Sequence, residues 1–268
     1  MIEYSSKKQS FPSYLQKCWE FRSLIMSFVR RDLKIKYAQT TVGLLWTLLQ
    51  PIALATVYFV FFQLILPINT DQPYILVVFS GVIFWNVFSS TLLQSSLAIQ
   101  QNQELIRKMY FPKALLFFSK AIGALLDGLI GWVLLVILML IYNQSLPYYF
   151  MLSLFFFIPL VFFSLGLSFM VARMAIIKRD VLLALPFFVQ LSIWFTPVFY
   201  PLTFLPEKWA KWIEMYPVNA SLDGFRAAFS LNHFSWISIG IGCVTAVLFL
   251  LTGLYIFSKS EEQMMDEL

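Results

Sequence analysis

Between Ala121 and Ala172 the chain carries one charge, Asp127. No soluble fold can cover so long a stretch with solvated side chains, and a bilayer crossing takes only roughly 20 apolar helical residues. The stretch therefore predicts two crossings, parted at the polar break Tyr142-Asn143-Gln144-Ser145-Leu146-Pro147. Four more apolar runs complete the pattern: Gly43 to Leu66, Gln72 to Gln103 (most apolar from Tyr74 to Leu93), Val181 to Pro206, and Phe234 to Ser258. Composition agrees, with 60% of residues hydrophobic and 12% charged, against about 45–50% and about 25% in soluble domains. An ordinary soluble domain and a disordered chain are both excluded. The expectation is an all-α polytopic membrane protein with six transmembrane helices, built as a cytoplasmic arm over 1–42, a membrane domain over 43–258 and a short tail over 259–268.

Six crossings return both termini to one side, and the Lys/Arg bias identifies that side. The arm holds Lys7, Lys8, Lys17, Arg22, Arg30, Arg31, Lys34 and Lys36. The second–third connection holds Arg107, Lys108, Lys113 and Lys120, the fourth–fifth holds Arg173, Lys178 and Arg179, and the tail holds Lys259. Sixteen basic residues thus share one face, against Lys208, Lys211 and Arg226 on the other. This predicts an inner-membrane, multi-pass protein with both termini cytoplasmic. The first apolar run is far longer than the roughly 7–15 residues of a signal h-region, so no cleaved leader is expected.

Three segments outside the spans stand out. Tyr14 to Arg31 reads as one amphipathic helix: Tyr14, Leu15, Cys18, Trp19, Phe21, Ile25, Met26, Phe28 and Val29 share one half of the wheel, with Arg22 and Leu24 as misfits. Its basic face suits a helix lying in the headgroup plane, the alternative being a helix packed on protein. The connection QNQELIRKMYFPKAL, 101–115, mixes charge with Leu105, Ile106, Met109, Tyr110 and Phe111. Such aromatics either pack back on the bundle or fill a groove on a cytoplasmic partner. Tyr200 to His233 is rich in Pro and aromatics, and predicts a pair of short re-entrant helices dipping into the outer leaflet or an interfacial hairpin anchored by Trp209 and Trp212.

Polar groups inside the spans are few. Asp127 is a functional candidate by default, but Gly123, Gly128 and Gly131 around it suit close helix contact, and no cationic partner is evident within the spans. A structural Asp, hydrogen-bonded to a neighbouring helix or near the membrane boundary, is the expectation. Aromatic clusters at Trp46, Phe84-Trp85, Phe88, Trp194-Phe195 and Phe199-Tyr200 could line a transport path, since rings stack on the apolar faces of sugars. Cys18, Cys243 and His233 make no metal pattern, and no acidic or histidine cluster has metal spacing. No G-x-x-x-x-G-K-[ST] loop occurs either. The chain is therefore expected to be non-catalytic, without cofactor, metal or nucleic acid, and to draw its energy from another chain.

Four blocks carry a resemblance to a known family. RRDLKIKYAQTTVGLLWTLLQP (30–51) resembles the opening of the ABC-2 type permeases that export polysaccharides, and NQELIRKMYFPKALL (102–116) looks like their coupling segment. KRDVLLALPFFVQLSIWFTPVFYP (178–201) is similar to their fifth span, and LPEKWAKWIEMYPVNASLDGFRAAF (205–229) to their outer segment. The likeness is to the permeases of O-antigen, teichoic acid and related polysaccharides.

The resemblance implies a homodimer enclosing the path, two copies of a nucleotide-binding ATPase subunit that carries ATP and Mg, and a glycan built on polyprenyl diphosphate as cargo. It implies that Glu104, Leu105, Arg107, Lys108, Tyr110, Phe111 and Pro112 couple to the ATPase. It places Trp209, Trp212, Tyr216, Phe225 and Arg226 in the outer gate, and the arm helix along the inner membrane surface. There Arg30, Arg31, Lys34 and Lys36 either attract the lipid diphosphate or only set topology. Two other readings are weighed: an ABC-2 exporter of a drug or small lipid, and a membrane transferase. A lone His and a lone intramembrane Asp supply poor chemistry for the second.

Overall fold

The computed structural model describes residues 10–38, 44–61, 72–178, 180–200, 206–230 and 235–267. Lys7, Lys8, Gly43, the end of the first apolar run beyond 61, Arg179, residues 201–205 and His233 lie outside the described residues. Among those described there are helices and no strands.

The arm departs from the single helix expected. It forms α1 (Phe11–Glu20) and α2 (Ser23–Ala38), broken at Phe21 and Arg22. The misfit Arg22 lies in the break and Leu24 in the first turn of α2, and the Arg22 side chain caps the helix before it. Its guanidinium donates to the Trp19 carbonyl at 3.1 Å and lies 4.6 Å from the centroid of the Trp19 ring. A cation there caps the last carbonyls of α1, where the helix dipole is negative. The break also splits the expected apolar face. Tyr14, Phe28 and Val29 turn inward, while Trp19, Met26 and Ile35 stay exposed.

Four of the described helices are long and apolar enough to cross a membrane: α4 (Tyr74–Ser96), α7 (Ala114–Ile141), the 3-10 and α stretch Phe150–Ile177, and Trp236–Glu261. The third of these is a 3-10 segment (Phe150–Phe156) running into α8 (Phe157–Ile177), and the fourth is most of α12 (Trp236–Glu267). At the expected first and fifth crossings stand shorter apolar helices: α3 (Leu44–Phe59), with Pro51 inside it, and α9 (Asp180–Ser192), with Pro186 inside it. α9 passes into a 3-10 turn, Ile193–Phe195. Two short helices, α5 (Ala98–Gln101) and α6 (Gln103–Lys108), make the connection from α4 to α7. Between α9 and α12 lie α10 (Glu207–Glu214) and α11 (Pro217–Ser230), the pair of short helices the sequence suggested.

The break after α7 has a local cause. Asn143 sits at φ 53°, its N–H bonds to the Leu140 carbonyl at 3.1 Å, and the Gln144 N–H reaches back to Met139 at 2.9 Å. That pair of bonds with a left-handed Asn is a Schellman stop. It ends one apolar helix and lets the next begin within a few residues.

Aromatic rings pack among Ala, Val, Leu and Ile side chains in the core. Phe117, Phe169 and Phe257 meet with centroids 4.5–5.2 Å apart, joining α7, α8 and α12. Helix α4 runs between α7 and α8, and most of it is buried inside the chain, whereas most of α7 and α12 is left to outer surroundings. Helices α8 and α12 pack backbone to backbone at their glycines. A Cβ on Gly253 would stand 2.3 Å from the Gly166 carbonyl oxygen, so only glycine permits this contact.

Candidate functional site

A cavity of about 510 Å³, with charged residues in a partly apolar wall, lies where α2 packs against α7 and the C-terminal end of α4. Arg31, Asp32 and Lys36 come from α2, Gln94 from α4, and Lys120 and Asp127 from α7. Asp32 is the hub of one cluster. Arg31 donates to its Oδ1 through Nε (3.0 Å) and Nη2 (2.8 Å), and the Lys120 Nζ lies 2.9 Å from its Oδ2. Asp127 is the hub of the other, with Lys36 Nζ at 2.5 Å and the Tyr37 hydroxyl at 2.9 Å. The cationic partner of Asp127 thus exists, but it comes from the arm rather than from a span. Asp127 is hydrogen-bonded to a neighbouring helix, as the structural reading anticipated. Of the four basic residues proposed to meet a lipid head, Arg31 and Lys36 are engaged by carboxylates, while Arg30 and Lys34 are exposed on α2. The cavity wall carries both charges, and each carboxylate in it is paired to a cation.

The connection between α4 and α7 sorts its side chains cleanly. Glu104, Arg107, Lys108, Met109 and Tyr110 are exposed, Leu105 is half-buried, and Ile106, Phe111 and Pro112 are buried. Glu104 and Lys108 pair one helical turn apart at 3.9 Å. The Phe111 ring lies 5.4 Å from that of Phe28 on α2 and is 1% exposed, whereas Tyr110 is 52% exposed. Phe111 and Pro112, expected on the docking face, instead fasten the connection to its own chain. The packing reading holds for Phe111, and Tyr110 is left exposed.

Just beyond Pro112 lies a cluster that the sequence reading passed over. Lys113 is buried, and Glu261 of α12 accepts from its N–H at 3.1 Å and its Nζ at 3.2 Å. Tyr14 of α1 donates to the other oxygen of Glu261. Burial first, then the Glu261 charge, raises the Tyr14 phenol well above its ordinary value, and the same two causes push the Cys18 thiol up to about 12. Lys17 and Lys113 ammonium groups lie 5.9 and 5.3 Å from the centroid of the Tyr110 ring. The only sequence hint was a cation next to a proline at a helix start; nothing pointed to Glu261.

The aromatic clusters divide in the same way. Phe84, Trp85, Phe88 and Phe199 are buried in the core of the single chain. Phe84 packs on Phe157 and Phe225, Phe88 on Phe163, and Phe199 stacks on Tyr58 at 3.5 Å. These four rings are closed off by packing and do not line an open path here. Trp194 and Phe195 are exposed, and the Tyr200 hydroxyl donates to the Trp194 carbonyl at 2.8 Å. Trp46 stands on α3, and its side chain lies outside the described residues.

Trp209 and Trp212 are exposed on α10, and Tyr216 meets Phe163 edge-on at 5.6 Å. Phe225 and Arg226 on α11 face inward instead. Arg226 donates to the Pro197, Val77 and Val198 carbonyls at 2.8, 2.9 and 2.9 Å and to Ser80 Oγ at 3.3 Å. It ties α11 to α4 and to the end of the α9 segment.

A family profile described as ABC-2 type transporter matches residues 23–230. The chain is 25% identical over 241 residues to an O-antigen export system permease protein RfbA of Klebsiella pneumoniae, covering 88% of this chain and 91% of that one. It is 27% identical over 222 residues to a protein of the same description from Myxococcus xanthus, covering 80% and 83%.

Proposed function

We infer that this chain, which belongs to the ABC-2 type transporter family, is the permease subunit of an ABC exporter for O-antigen-like polysaccharide. The observation that carries the cargo is the likeness to O-antigen export permeases along four-fifths or more of the chain. The finer reading is a homodimer in the inner membrane, with six crossings per chain and both termini cytoplasmic. Two copies of an ATPase subunit supply ATP and Mg, and the glycan rides on polyprenyl diphosphate. Helices α3 and α9 serve as the first and fifth crossings, supported by their apolar sequence. The short pair α10 and α11 forms the outer gate as re-entrant helices.

In this reading the exposed side chains Glu104, Arg107, Lys108, Met109 and Tyr110 meet the ATPase. The cavity between α2 and α7 receives the diphosphate head, with Arg30 and Lys34 at its approach. The exposed rings Trp194 and Phe195 face the path or the second copy. Deletion of the gene tests the cargo. Surface polysaccharide should vanish while polyprenyl-linked glycan accumulates inside the cell, and the wild-type gene should restore export. Normal surface glycan with altered drug or lipid efflux would move the chain to the other ABC-2 class. Charge reversal of Arg30, Arg31, Lys34 and Lys36 should cut glycan-stimulated ATP hydrolysis with insertion unchanged. No effect would leave these residues to topology alone.

A further inference from the structure

Helix α12 is unbroken over 32 residues, about 48 Å at 1.5 Å per residue. Near its inner end Glu261 grips the last residue of the connection, Lys113, through both the backbone and the ammonium group, and α1 through Tyr14. The Lys113 and Glu261 side chains are 4% and 12% exposed, so water competes little for these bonds. The Lys113 N–H is one of the donors that a helix start leaves without an intrahelical partner, and a carboxylate there also meets the positive end of α7. Toward its outer end α12 packs on α11, where a Cβ on Gly242 would stand 2.5 Å from that of Ala220. Ser238 of α12 also donates to Glu214 of α10 at 2.8 Å. Between these ends lies the glycine contact of α12 with α8.

We propose that Glu261 is a positioning residue for coupling. Its carboxylate joins the ATPase-facing connection to α12, and α12 acts as a rod that carries displacement of the connection to α10 and α11. Lys113 is the handle and Tyr14 holds the joint against the arm. The proposal rests on the reading that the connection docks the ATPase.

The test uses the full permease–ATPase complex in lipid nanodiscs, with polyprenyl-diphosphate-linked glycan extracted from the source cells as probe. Glu261→Ala should keep the ATPase bound and its basal hydrolysis, yet lose about tenfold of the glycan-stimulated rate. Glu261→Gln keeps an acceptor oxygen for the Lys113 N–H and should recover most of the stimulation. Wild-type stimulation in Glu261→Ala overturns the proposal. So does a loss that in both variants only tracks the fraction of folded protein on size exclusion. Should Glu261→Ala fail to assemble, Lys113→Met decides with Glu261→Gln as its control: lost stimulation in Lys113→Met while Glu261→Gln stays coupled supports the joint, and full coupling in Lys113→Met overturns it. The docking reading fails separately, by retention of the ATPase when Arg107→Glu and Tyr110→Ala are combined.

Discussion

Removing the Arg226 guanidinium should unfasten the outer helix, and the cost follows from which acceptors it leaves. Arg226→Met keeps the aliphatic stem and deletes the donors. Of the four acceptors, Ser80 Oγ still donates to the Val77 carbonyl at 2.8 Å, so those two stay paired with each other. The Pro197 and Val198 carbonyls, both on buried residues, lose a donor at 2.8 and 2.9 Å. A buried acceptor without its partner costs about 1–3 kcal/mol, which puts the pair at about 4 kcal/mol. For a chain of this size that is a fall of about 8–16 °C in melting temperature, read by fluorescence-detected size exclusion after heating. Arg226→Lys has one nitrogen where two are needed, and should lose about half as much. Met melting within about 2 °C of wild type, or Lys melting as low as Met, would refute the assignment of Arg226 as a carbonyl clamp.

Three further outcomes follow from the inner face. With its thiol pushed up to about 12 by burial and the Glu261 charge, Cys18 holds less thiolate at pH 8 than a free thiol. Maleimide labelling of Cys18 in the native complex should therefore be slow and should quicken in Glu261→Gln; a rate equal to that of an exposed thiol would contradict the burial described. Phe111→Ala should cost about 3–5 kcal/mol and lower folded yield, whereas Tyr110→Ala should leave melting near wild type and reduce co-purification of the ATPase; the reverse pattern would undo the division of the connection. Asp127→Asn breaks a pair whose side chains are 42% and 22% exposed, so stability should change by about 1 kcal/mol or less, and export should persist. Abolished export in a stably folded variant would make Asp127 a working group rather than a tether.

Four of the spans were legible because a bilayer makes charge-free length costly to use in any other way, while the expected first and fifth hold shorter apolar helices among the described residues. The run from Tyr74 and the paired runs expected over Ala121 to Ala172 appear as helices, the pair extending beyond those limits to Ala114 and Ile177, and the Tyr142–Pro147 break falls where Asn143 turns left-handed. The arm was half legible. Its apolar stripe was real, but Arg22 and Leu24 were treated as exceptions to one helix when they marked the boundary of two. A wheel drawn at a single phase cannot represent a stripe that restarts.

The site was less legible because its bonds join residues far apart in the chain. Lys36 meets Asp127 across 91 positions, and Lys113 meets Glu261 across 148. No local spacing rule reaches that far. The same distance explains why aromatics misled: Phe84 and Phe111 look like their exposed neighbours Trp194 and Tyr110 in composition, and only the packing of Phe157, Phe225 and Phe28 separates them. Charge behaves differently from apolarity in this respect. A membrane protein must bury or pair each charge it keeps near the bilayer, so every basic residue counted for topology also needs a carboxylate, a carbonyl or water. Following that requirement through Lys36, Lys113, Lys120 and Arg226 leads to Asp127, Glu261, Asp32 and the Pro197–Val198 carbonyls. Those four destinations are the places where the arm, the connection and the outer helix are tied to the spans. The rule that sets the orientation of the chain therefore also locates its joints, once each cation is asked where its partner lies.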